Sequence, residues 1–70
     1  MAIFKITEKT NFNALREGYL ITAKSLQAAK WQATKNQVFL DTFLIIEDEV
    51  GRTVAVKEKN GGWLPRKYFN

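Results

Sequence analysis

The order of hydrophobic and polar residues along the chain changes period several times, and each change marks an element. Residues 2–8 alternate: Phe4 and Ile6 face one way, Lys5 and Thr7 the other. Such a period of two predicts a half-buried strand. Thr10, Asn11 and Asn13 break the alternation with turn-forming side chains, so 9–17 reads as a loop ended by Gly18. Tyr19-Leu20-Ile21-Thr22 reads as a second strand. Ser25 is placed to cap a helix, because its hydroxyl can accept a free backbone N–H of the first turn. Residues 26–35 are good helix formers without Gly or Pro. At 100° per residue, Leu26, Ala29 and Ala33 fall within about 60° of one another and form a narrow stripe that can lie close on a sheet. Lys30 flanks that stripe, while Ala28, Trp31 and Lys35 fall on the opposite face.

Strand character returns over 38–49. Thr42, Leu44 and Ile46 share one parity, and Phe43, Ile45 and Glu47 the other. Apolar residues on both faces predict a central strand, or one covered by the helix. Residues 48–51 read as a turn, and 53–57 as a strand with Val54 and Val56 inward. Asn60-Gly61 suits the positive φ angles of a type I′ hairpin. Trp63 and Leu64 make a last short strand, closed by Pro65, which has no N–H to give a ladder. The expectation is one α+β domain over residues 1–70: a curved antiparallel sheet of about five strands with one helix packed on it, in the order β-β-α-β-β-β.

Composition narrows the chemistry. The chain has 70 residues and contains neither cysteine nor histidine. Disulfides, Cys/His zinc sites and histidine-based acid–base catalysis are therefore excluded. Its one serine is the presumed cap. The Gly61-Gly62 pair sits in a hairpin and not between a strand and a helix, so no phosphate loop is present. Glu47-Asp48-Glu49 lacks the spacing of a calcium loop and reads as a solvated acidic turn. No enzyme, metal or cofactor is expected. The start of the sequence shows no apolar leader and the longest apolar run, residues 43–46, is far short of a membrane span, so neither is expected; the lack of cysteine fits a cytosolic life.

Charge points to a partner. Eleven Lys and Arg against seven Asp and Glu leave a net charge of +4. Such a field favours nucleic acid or an acidic protein surface, although it also serves solubility. Lys24, Lys30 and Lys35 lie on or beside the helix, Lys57 and Lys59 near the last hairpin, and Arg66 and Lys67 beyond Pro65. If they converge, they attract phosphates without reading sequence. Only three arginines are present, which disfavours extensive base readout. Trp31, opposite the core stripe, is the type of residue that anchors a protein interface. Phe12, Tyr68 and Phe69 are weaker candidates, and Trp63 reads as structural.

Several segments together carry a resemblance. They are Arg16-Glu17-Gly18, Ile21-Thr22-Ala23-Lys24-Ser25-Leu26, Ala29-Lys30, Ala33 and Lys35, followed by Gln37, Phe39, Thr42, Ile46-Glu47, Glu49, Gly51, Ala55, Lys57-Glu58 and Trp63. In this order and spacing the chain resembles the ninth family of type I-F anti-CRISPR proteins over residues 2–63. The resemblance implies a phage or mobile-element protein that acts in the bacterial cytoplasm. It implies binding to the backbone subunits of the type I-F Csy surveillance complex and a block on pairing of target DNA with the guide RNA. Phe12, Arg16, Trp31 and Gln37 are the expected protein-binding residues. The resemblance also implies that the inhibited complex holds duplex DNA without sequence preference, here through Lys30, Lys35 and Lys57. Trp31 and Gly62 stand where the family is expected to carry arginines, which weakens phosphate binding, and Arg66 and Lys67 are placed to compensate. The alternative is a small phage-encoded domain that binds DNA non-specifically or serves as an accessory, with no CRISPR partner.

Overall fold

The computed structural model describes residues 2–10, 14–38, 41–59 and 61–64, with 14–17 as backbone. The elements are β1 (Ala2–Lys9), β2 (Ala14–Ala23), α1 (Leu26–Lys35), β3 (Phe43–Glu47) and β4 (Thr53–Lys57). They form one antiparallel sheet in the order β2-β1-β3-β4, with α1 on one face.

The helix begins and ends as the sequence predicts. Ser25 is extended, and its hydroxyl accepts the Ala28 N–H at 3.1 Å. Lys35 lies in the last turn, where a cation complements the helix dipole. Ala29 and Ala33 are fully buried, and their lack of bulk brings the helix axis close to the sheet. Beneath them lie Ile6, Leu44 and Ile46, all without solvent exposure, with Phe4, Ala23 and Ala55. Each large aliphatic side chain buried here contributes on the order of 1.5–3 kcal/mol. Ala28, expected on the outer face, is half-buried and packs against this core.

The strands depart from the expectation in four places. First, the expected loop 9–17 shrinks to a short connection, because β1 runs to Lys9 and β2 starts at Ala14. The register explains the misreading. Ile6 pairs with Tyr19 and Glu8 with Arg16, so Glu17 and Gly18 stand opposite Thr7 alone. Gly18 takes φ +64° in this bulge and its N–H donates to Thr7 Oγ1. A bulge glycine inside a strand looks, in sequence, like the end of a loop. Second, β3 covers only Phe43–Glu47 and not 38–49, because the Val38 N–H is taken by Glu8 instead of a ladder. β3 is central, and Thr42, Leu44 and Ile46 are buried, as their shared parity requires.

Third, the inward residue of β4 is Ala55, paired with Ile46 under the helix, and not Val54 or Val56. A register irregularity between Ile46 and Glu47 accompanies the change of parity. Fourth, the sheet has four strands and not five. The expected last strand is a single bridge between Trp63 and Lys57, with the Leu64 N–H donating to the Val56 carbonyl at 2.8 Å. Only Gly62, Trp63 and Leu64 separate the turn from Pro65, too few for a full strand. That turn closes with Gly61 N–H donating to the Glu58 carbonyl, which makes Gly61 its last position and not a central one of a type I′ pair. Accordingly Gly61 is not among the glycines at positive φ.

Candidate nucleic-acid and protein interface

Two groups of predicted site residues separate in space. The first gathers on α1 and the β4 edge. Lys30 Nζ lies 5.5 Å from the centroid of the Trp63 ring, and Trp63 is bridged to Lys57. The turn that closes the chain back on β4 therefore puts the half-buried Trp63, whose ring lies under Lys30, in backbone pairing with Lys57. A turn further along the helix, Lys35 Nζ lies 4.8 Å from the Trp31 centroid, at the i, i+4 spacing that places two side chains on one helix face. Trp31 is 63% exposed. Lys59 Nζ extends the same end of the molecule, 5.4 Å from the ring of Phe43.

The helix and its flanks carry only positive charge, while Glu58 lies between Lys57 and Lys59 on the neighbouring turn. Between residues 18 and 40 the charged side chains are Lys24, Lys30 and Lys35, with no acid among them. The acidic run 47–49 belongs to the opposite end of the β3–β4 ladder. Leu44 pairs with Lys57 at one end and Glu47 with Thr53 at the other, three steps of about 3.3 Å, or roughly 10 Å, apart. The acids are occupied in turn construction. Asp48 Oδ1 accepts the Val50 and Arg52 N–H groups, Asp48 Oδ2 meets Arg52 Nε at 3.1 Å, and Glu49 Oε1 accepts the Ile3 N–H. The Arg52 N–H holds the Asp48 carboxyl below the usual carboxylate range; desolvation opposes it, and the Val50 N–H and the guanidinium add to the lowering.

The second group centres on Glu8. Its position shares the inward parity of Phe4 and Ile6, and it has no solvent exposure. Both carboxylate oxygens accept the Val38 N–H, at 3.0 and 3.2 Å. The Cα partner of Glu8 on β2 is Arg16. The residue before Val38 is Gln37, whose Nε2 donates to the hydroxyl of buried Thr42. Arg16 and Gln37 are thus brought to the same end of the molecule, with Val38 beside them 60% exposed. Trp31 belongs with the lysines instead. Phe12, Arg66 and Lys67, together with Tyr68 and Phe69, lie outside the described residues. Sequence reasoning passed over Glu8 and Val38, although an acid at an inward position of an alternating strand was a signal that it needed a buried donor.

A single helix on one face of an open four-stranded sheet defines a small α+β protein, with Lys30, Lys35 and Lys59 each set over an aromatic ring. Among the described residues no helix is long and apolar enough to cross a membrane. No protein-family model matches the chain, and the search of curated proteins returned no match. A solved structure named AcrIF9 is 41% identical, with a TM-score of 0.77, over 90% of this chain and 83% of that one. The chain belongs to this family, the ninth of the type I-F anti-CRISPR proteins.

Proposed function

We propose that the protein binds the type I-F Csy complex on its backbone subunits and obstructs pairing of target DNA with the guide RNA. The observation that carries this reading is the likeness to AcrIF9 along nearly the whole chain, at an identity well above that of fold similarity alone. An RNA-guided complex draws its target into a positively charged channel and reads it by base pairing. A rigid body at the channel wall inhibits by occupying space and needs no chemistry. A standard interface takes roughly 800 Å² per partner, a large share of the 4700 Å² this chain exposes. The end formed by Arg16, Gln37 and Val38 is the surface we assign to the complex, with Phe12 assigned to it from sequence. Lys30, Lys35 and Lys57 are assigned to non-specific duplex DNA held on the inhibited complex, and Arg66 and Lys67 are assigned from sequence as additional cations. The place of action on this reading is the cytoplasm of an infected bacterium.

The test is a pull-down with purified Csy complex, with and without target DNA. The protein is expected to be retained by the complex and to lower its capture of matched target. Failure of the complex to retain it overturns the reading. The lysines of the helix, with no acid among residues 18–40, favour one alternative, a free-standing duplex-binding domain. That protein would shift duplex DNA strongly at moderate salt without any complex present, whereas the inhibitor alone shifts it weakly.

A further inference from the structure

Trp31 is the most exposed aromatic side chain among the described residues, and its surroundings restrict what it can serve. Its neighbours on the helix face, at i−4, i−3, i+3 and i+4, are Gln27, Ala28, Thr34 and Lys35, with no large apolar side chain among them. The centre of a protein interface is depleted in charge, and an anchoring aromatic there is ringed by contacts that exclude water. Trp31 instead carries an ammonium group 4.8 Å from its ring and stands on a helix whose only charged residues are lysines. A flat apolar ring beside several cations has another natural ligand. An unpaired nucleobase stacks on an exposed aromatic face while its phosphates meet the lysines, and every base offers such a face.

We propose that Trp31, flanked by Lys30 and Lys35, is a stacking platform for single-stranded nucleic acid, with Lys57 beyond Trp63 extending the phosphate track. The arrangement discriminates against duplex. Paired bases are already stacked on one another and present only edges and phosphates, so the indole gains little from them. The lysines serve both forms through the same counterion release. The selectivity for unpaired strands is therefore carried by one side chain. Because Trp31 faces mainly solvent, removing it leaves the core of Ile6, Leu44 and Ile46 untouched.

The experiment uses the isolated protein at low salt, with a fluorescein-labelled oligothymidylate and a mixed-sequence duplex of the same length as probes. Trp31→Ala is expected to weaken oligothymidylate binding by roughly 5- to 150-fold, the span that one stacked base supplies. Duplex affinity is expected to stay within about twofold of the original. Trp31→Phe keeps an aromatic face and is expected to restore most of the loss, and circular dichroism checks that both variants are folded. The proposal is overturned if the unaltered protein does not bind oligothymidylate. Equal losses on single strand and duplex in Trp31→Ala overturn it as well. So does a Trp31→Ala variant that loses capture by the Csy complex while its oligothymidylate affinity is unchanged, which would make the indole a protein anchor.

Discussion

Both oxygens of the buried Glu8 carboxylate accept the backbone N–H of Val38, thirty positions further along the chain. A carboxylate taken fully out of water is costly, and it persists where it satisfies donors that would otherwise be stranded. The contact ties the connection leaving α1 to the β1–β2 hairpin, and so fixes the end of the molecule that carries Arg16, Gln37 and Val38. Glu8→Ala removes the acceptor of the Val38 N–H and leaves a cavity. It is expected to lower the unfolding free energy by about 2–3 kcal/mol, read from urea denaturation. Exchange of the Val38 amide is expected to quicken by more than the loss of global stability requires.

The turn 48–51 gives the protein an acid-sensitive element. The Asp48 carboxyl is held below its ordinary value, chiefly by the Arg52 N–H. A carboxyl depressed in the folded state adds stability that is fully present above its unfolded value of about 4. That stability is lost as the pH falls through the lower folded value. Thermal melts from neutral pH down to about pH 2.5 are expected to show a shallower acid decline for Asp48→Asn than for the original chain. An unchanged decline would remove Asp48 from the account.

Gly51 closes the same turn at φ +93°, and a Cβ there would meet nothing within 4 Å. The strain of a substitution is thus purely in the backbone. Gly51→Ala is expected to cost about 1–2 kcal/mol, measured by denaturation.

The helix cap offers a cleaner local test. Ser25→Ala removes the acceptor of the Ala28 N–H and is expected to cost about 1 kcal/mol, whereas Ser25→Asp keeps the cap.

Duplex DNA held on the inhibited complex is expected to depend on the three lysines together. The variant carrying Lys30→Ala, Lys35→Ala and Lys57→Ala should weaken it and flatten the slope of log affinity against log salt by about 2–3, or ~0.9 for each phosphate no longer neutralised. A slope that does not change would move the duplex contact elsewhere on the surface.

The helix, its cap, its small-residue stripe and the central place of β3 are legible in the sequence alone, because each rests on interactions a few residues apart or on a simple period. Ser25 needs only the N–H of Ala28 to act, and Ala29 and Ala33 share a face by helix geometry alone. Net charge and the lack of histidine and cysteine equally belong to the sequence, and so does the family resemblance. What depends on distant pairing is not legible there. That Gly18 lies in a bulge opposite Thr7, that Ala55 and not its valine neighbours points inward, and that Trp63 makes one bridge all follow from which strand lies alongside. The same holds for the surfaces. Tertiary structure alone sets Lys30 over the Trp63 ring beside β4 and brings Val38, next to Gln37, onto Glu8, since sheet register and chain crossing set those neighbours, and neither is written in local periodicity.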